Sequence, residues 1–371
     1  MTETATTRGE IRALTGVRGI AALYVAIYHI KPAAGTELLA EFGRHGYLAV
    51  DLFFVLSGFV MAMTYGDLFR NGFSVAPYLA FLKKRIARVY PLYLAATLVM
   101  SALVVARHTQ HLYGDFWHAF AANVLMVQAW GVAQSIASAS WSISTEWAAY
   151  LLFPALAATM LRGRPVVTAL GTLACAVAIA AVSMGDSHLV LGSQPLRNGP
   201  LDLTFYDSVG PMVRCIAGFS LGLLAYRVRS AAAVLAEPVT AAVVGVAVLV
   251  LLFVPRADVF VVLLFPALIL SLSFEAGPFA RVLRSTPVYL LGVWSYSLYL
   301  IHPKFFVLEA MIEPHVGAVL ATIATLGVVI ALSWAAYRLI ELPGRRALNA
   351  FFARTALTRR QESPHHRQSS M

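Results

Sequence analysis

The stretch YLAVDLFFVLSGFVMAMTY, from Tyr47 to Tyr65, is apolar along its whole length except for one carboxylate, Asp51. A helix that crosses a bilayer needs about 20 mostly apolar residues, and this run is of that size. Comparable runs stand on either side of it, at 13–31, 89–106, 141–161, 166–184, 210–227, 239–254, 258–274, 288–309 and 316–340. With 47–65 they make about ten; 89–106 and 239–254 sit at or just under the length limit. Because the runs are continuous and do not alternate in polarity, a membrane β-barrel is excluded. The segment around Trp117 to Trp130 is shorter and holds Asn123 and Gln128, which predicts an interfacial or re-entrant helix. No internal repeat is evident. The expected fold is an all-α integral membrane protein, a bundle of about ten transmembrane helices.

Composition agrees. Of 371 residues, 59% are hydrophobic and 12% charged, which excludes a soluble enzyme. The net charge of +10 could suit nucleic acid, but the basic residues sit in short loops with no basic domain, so no nucleic-acid partner is expected. If the amino terminus is cytoplasmic, 19 of the 28 lysines and arginines fall on inner loops and tails and 5 on outer loops; Arg18, Arg214, Lys304 and Arg338 lie within the expected spans. That bias predicts cytoplasmic termini and an even number of spans. Arg8 and Arg12 precede the first run as in a signal peptide, but Arg18 near its start marks a retained helix. Cys175 and Cys215 lie in apolar stretches and read as packing residues, with neither a disulfide framework nor a metal site. Residues 1–345 are expected to form the membrane domain, and 346–371, with Pro364 and paired histidines, a basic disordered tail.

Ionisable residues at membrane depth cost a few kcal/mol, so each needs a partner or a role. Arg18 and His29 are eleven residues apart, which returns to within about 20° of one helix face at an axial separation of roughly 16 Å. Asp51 enters from the outer side near the depth of His29, where a carboxylate would fix the imidazole tautomer and raise its basicity. A plain helix-dipole role competes with that reading. Ser57-Gly58 is a place for another helix to approach closely. Trp141 to Glu146 puts a carboxylate just below the outer surface, beside tryptophans that could equally be interface anchors. Arg214 and His302 fall in the same outer band, so five helices bring ionisable groups to one depth. On the inner side, Lys83, Lys84, Arg85 and Arg88 cluster, with Arg85 and Arg88 on neighbouring turns able to grip a phosphate. Headgroup anchoring is the plainer alternative. Glu341 ends the last run on the same face, where an ion pair with Arg18 is the plainest expectation.

Together these residues resemble the acyltransferase-3 family of bacterial integral-membrane O-acyltransferases. The resemblance rests on Arg18 with His29, Asp51-Leu52-Phe53-Phe54 through Ser57-Gly58-Phe59, Arg85 to Arg88 followed by Pro91, Trp141 to Glu146, Tyr299 to His302, and Glu341 to Pro343. It implies about ten helices in the bacterial cytoplasmic membrane. It implies a cytoplasmic acyl-coenzyme A donor, acetyl by default, and an acceptor hydroxyl on a sugar, lipid-linked glycan or, in some actinobacterial members, a macrolide. His29 would be the essential base, Arg18 its partner, and Arg85 with Arg88 and the adjoining Lys84 the grip on coenzyme A. Asp51, Glu146, His302, Arg214, Trp141 and Ser57 would line the catalytic or acceptor vestibule. No metal is implied. The chain ends about thirty residues after Glu341, so the extracytoplasmic hydrolase-like domain of some members is expected to be missing and a second acyl-handling step to need another protein.

On this reading His29, oriented by Asp51 or Glu146, takes the acceptor's proton as it attacks the thioester, and Arg18 or Arg214 stabilises the oxyanion. Short outer loops favour a glycan, glycolipid or small secreted acceptor over a protein. The arginines and His29 are expected near opposite faces of a layer about 30 Å thick, so the pantetheine arm must thread inward or the acyl group be relayed. A proton- or solute-coupled transporter is the alternative, since such residues also mark proton relays; the missing repeat argues against it.

Overall fold

The computed structural model describes residues 10–30, 37–70, 72–162, 164–194 and 197–361. In chain order its helices are α1 (Arg12–Ile30), α2 (Glu37–Arg44), α3 (Ala49–Arg70), α4 (Val75–Ala106), α5 (Phe116–Val124), α6 (Trp141–Met160), α7 (Pro165–Met184), α8 (His188–Leu191), α9 (Gly210–Val228), α10 (Pro238–Leu251), α11 (Asp258–Ser273), α12 (Gly277–Leu283), α13 (Thr286–Ile301), α14 (Phe306–Val316), α15 (Ala318–Ala336) and α16 (Leu342–Gln361). No strand occurs among the described residues. The protein is an all-α, multi-pass membrane protein.

Each of the ten apolar runs contains a helix, but fewer are long enough to cross. Among the described residues six helices have the length and apolarity of a span, or seven if α11 and α12, bent by 81° at their junction, count as one broken span. α10 and α13 have only 14 and 16 residues. The Trp117–Trp130 segment forms the short α5 and a wide turn at Gln128–Val132.

Three boundaries differ from expectation, each for a local reason. α4 starts at Val75 and runs 32 residues, so Lys83 to Arg88 lie well inside a helix whose apolar run was expected to begin only at residue 89. Pro77 is tolerated in the first turn, and nothing else breaks the helix before Pro91. The 288–309 run breaks at His302-Pro303, because the proline has no N–H with which to continue α13. Residues 346–361, expected as coil, belong to α16. The leader with Arg8 and the tail from 362 to 371 lie outside the described residues.

α1, α3 and α9 are mostly buried, whereas α4, α7 and α15 turn most of their surface outward. That outer surface is apolar, with Leu98, Val99, Leu170, Val177, Leu320 and Ile323 all exposed. Such a ring would be a liability in water and is what lipid solvates. Inside, small residues let backbones touch. A Cβ added at Gly58 would stand 1.9 Å from the Phe219 carbonyl oxygen, locking α3 to α9, and one at Gly19 would stand 2.5 Å from the Gly292 nitrogen, locking α1 to α13. The close approach expected at Ser57-Gly58 is therefore made, with α9 as the partner. Both cysteines are free and buried.

Candidate active site

Five helices enclose a cavity of about 170 Å³. α3 lines it from Val50 to Met61, eleven residue steps or about 16 Å of axial rise, so it is a shaft along the helix axes. One end is marked by Val50, Ser142 and Tyr299, the other by Ser57, Tyr150 and Arg85; Arg18, Arg88, Glu146 and Tyr296 also face it. A void that holds a water needs about 10–15 Å³, so this chamber is larger than a packing defect and is polar enough to be wet.

The cations of the shaft are held in different ways. Arg88 donates to Glu341, whose other oxygen accepts from the Ser297 hydroxyl at 2.8 Å. This corrects the expected Arg18–Glu341 pair. Arg18 instead donates to the Ser295 hydroxyl at 2.9 Å and the Gly292 carbonyl at 3.0 Å, because the glycine contact between α1 and α13 exposes that carbonyl to it. Arg85 donates to the Tyr65 hydroxyl at 3.0 Å and lies over the Tyr65 and Tyr150 rings. Lys84 does not line the shaft; it points along α16, 3.4 Å from the Asn349 side chain. Glu146 accepts from the Tyr150 hydroxyl at 2.6 Å, and Ser57 lies 3.4 Å from that same hydroxyl.

One turn beyond Tyr299 stand two histidines. His302 is buried and His29 exposed. Nδ1 of His29 lies 2.9 Å from the Val25 carbonyl and 3.2 Å from Nε2 of His302, whose own Nδ1 lies 3.2 Å from the Leu298 carbonyl. A carbonyl only accepts, so each neutral ring carries its proton on Nδ1. The His29 N–H is then shared between Val25 and the lone pair of His302, and the His29 lone pair resides on Nε2. The Tyr299 ring, 5.7 Å from that of His302, joins this pair to the shaft, and its hydroxyl is 2.7 Å from that of Ser142.

Asp51 and Arg214 form a separate unit. Arg214 donates to both Asp51 oxygens, at 3.1 and 2.6 Å, to the Leu203 carbonyl at 2.9 Å and to the Tyr47 carbonyl at 3.4 Å, and its guanidinium lies 5.4 Å from the Trp141 ring. The carboxylate expected beside His29 thus serves Arg214, and Trp141 is buried against the same pair. Ser297, which shares Glu341 with Arg88, precedes His302 by five residues, about 7 Å along α13.

Tyr150 and Tyr65, which organise Arg85, were not singled out by sequence reasoning. Tyr150 could have been, since it follows Glu146 by four residues and so shares its face. Tyr65 carries no such mark. Asp258 was missed as well: it accepts from the Tyr47 hydroxyl and from the Leu201 N–H at 2.8 Å, with His45 at 3.5 Å. Among the described residues no cluster of three histidine, cysteine or acidic side chains could hold a metal.

Comparison with known proteins converges on one chemistry. The acyltransferase-3 family model, described as an acyltransferase domain, matches residues 11–338. The chain is 30% identical to acyltransferase MdmB of Streptomyces mycarofaciens over 78% of its own length and 77% of that protein. It is 24% identical to O-acetyltransferase OatA of Staphylococcus aureus over 93% of its length, spanning 60% of that longer protein. A 92-residue segment is 44% identical to protein 2 in the picA locus of Rhizobium radiobacter, 25% of this chain and 44% of that one. No solved structure matches significantly. The chain therefore belongs to the acyltransferase-3 family and is a membrane-bound O-acyltransferase.

Proposed function

We propose that the protein moves an acyl group, acetyl in the first instance, from cytoplasmic acyl-coenzyme A to a hydroxyl on a sugar, glycan, glycolipid or small secreted molecule outside, with His29 as general base. It would reside in the bacterial cytoplasmic membrane with both termini inside. The observation that carries this reading is the paired His29 and His302, one turn beyond Tyr299 at one end of a shaft whose other end holds Arg85.

In the proposed reaction Nε2 of His29 removes the acceptor hydroxyl proton as that oxygen bonds to the thioester carbonyl carbon. His302 is a positioning residue: its Nε2 lone pair and the Val25 carbonyl accept from His29 Nδ1, and both contacts strengthen when His29 becomes cationic. When the C–S bond breaks, the proton on His29 passes to the departing thiolate. The Tyr299 and Ser142 hydroxyls, which face the shaft on the side of His302, would stabilise the developing oxyanion. Arg214 is set aside for that role because its donors are occupied. Arg18, Arg85 and Arg88 make the shaft electropositive toward an anionic donor, and the walls admit a slender arm, so threading is favoured over a relay.

The test is His29→Ala in purified, folded protein, assayed for acetyl-coenzyme A consumption with extracts of the cell envelope as acceptor. General base removal is expected to lower turnover by about 10²–10⁴-fold. Unchanged turnover would remove His29 from the mechanism.

A further inference from the structure

α16 lies along the first half of α4, and the register between them is fixed at three points. Glu341 takes Arg88, Gly344 packs on Pro91 where an added Cβ would come within 2.5 Å, and Asn349 meets Lys84. Glu341, Arg345 and Asn349 are spaced by four and share one helix face. Arg345 therefore sits between the Arg88 and Lys84 contacts, on the stretch of α16 that faces the inner half of α4. It is exposed, and it is close enough to Arg88 and Arg85 to be repelled by both.

Among the described residues neither Arg85 nor Arg345 is ion-paired with a carboxylate. Glu341 is already shared by Arg88 and Ser297. Arg85 has a tyrosine hydroxyl and two aromatic faces, while its Nε is buried without a hydrogen-bond partner. An orphaned guanidinium donor beside a second, exposed guanidinium is the arrangement that a multiply charged anion completes.

We propose that Arg345 and Arg85, flanked by Lys84, seat the diphosphate and 3′-phosphate of the nucleotide thioester, with Arg88 withheld by Glu341. This rests on the acyl-coenzyme A reading above, and it replaces the Arg85–Arg88 grip that spacing alone suggests. From this seat the shaft continues about 16 Å along α3 toward the histidines. A phospholipid headgroup offers the same phosphate chemistry, so the experiment separates the two sources.

The measurement is acetyl-coenzyme A affinity of purified protein in phosphatidylcholine nanodiscs, for wild type, Arg345→Ala and Arg345→Lys. Arg345→Ala is expected to weaken binding about tenfold at unchanged unfolding temperature, and Arg345→Lys to restore part of it. In discs containing phosphatidylglycerol the same difference is expected. Wild-type affinity in Arg345→Ala overturns the proposal, as does a variant that loses co-purified phosphatidylglycerol while its acetyl-coenzyme A affinity is unchanged, since the seat then belongs to a headgroup. A wild-type protein that fails to bind acetyl-coenzyme A at all is a different result and removes the donor reading itself.

Discussion

Among the described residues two arginine–carboxylate pairs lie within the helical bundle, and they are built differently. In Arg214–Asp51 the two side chains are 0% and 2% exposed; in Arg88–Glu341 they are 22% and 1% exposed. The first pair is sealed, its donors spent on both carboxylate oxygens and two carbonyls, with an indole against the guanidinium. The second is open on the arginine side to the shaft. Taking two charges out of water costs several kcal/mol each, and a pair is tolerated when its geometry recovers that cost. The sealed pair joins α3 to α9 and to the chain around Leu203. The open one makes a wall of the chamber through which the donor is proposed to pass. The same chemistry thus serves as a rivet in one place and as electrostatic tuning in the other.

The largest effect is expected from breaking the sealed pair. Asp51→Ala leaves Arg214 charged and buried with no anion, which should cost about 3–5 kcal/mol and appear as loss of monodisperse protein or a large fall in unfolding temperature. Asp51→Leu combined with Arg214→Met, which removes both charges at similar volume, should recover most of that stability. If Asp51→Ala is as stable as wild type and only turnover falls, Asp51 belongs with the histidines, and the division between the two pairs is wrong.

That division is also where sequence reasoning stops. Hydrophobic runs report position along a helix axis, so the helical bundle was legible, and His29, Asp51, Glu146, Arg214 and His302 were read as one depth band. Rotation about the axis and the identity of neighbouring helices were not. One depth band therefore resolves into two units, His29 with His302 and Asp51 with Arg214. Glu341 shows the same limit: depth alone matched it to Arg18, whereas packing of the α15–α16 junction against α4 delivers it to Arg88. The length of α4 was obscured for another reason. Four cations, Lys83, Lys84, Arg85 and Arg88, interrupt its first half, and a segment so charged carries no lipid signal.

An intermediate effect is expected at the open pair. Glu341→Gln keeps an acceptor for Ser297 and leaves Arg88 facing a chamber that admits water, so its stability cost should be about 1–2 kcal/mol, below that of Asp51→Ala. Removing one negative charge beside the shaft should also tighten binding of an anionic thioester severalfold, read as a lower KM or Kd for acetyl-coenzyme A. Collapse of Glu341→Gln to the same degree as Asp51→Ala would erase the distinction.

The smallest effect sharpens it. Ser297 is buried in α13 and donates to the Glu341 oxygen that Arg88 leaves unused. Ser297→Ala removes one hydrogen bond to a charged group, an interaction worth about 1.5–3 kcal/mol at most. The carboxylate keeps Arg88, and water from the chamber can take the vacated position, so the net loss should be about 1 kcal/mol. Because Ser297 lies about 7 Å along the axis from His302 without contacting it, turnover should stay within about threefold of wild type. The carboxylate is then more loosely held and can swing with Arg88, which predicts a steeper salt dependence of donor binding in Ser297→Ala than in wild type. Equal salt dependence in the two proteins would mean that Arg88 alone positions Glu341, making the open pair as rigid as the sealed one.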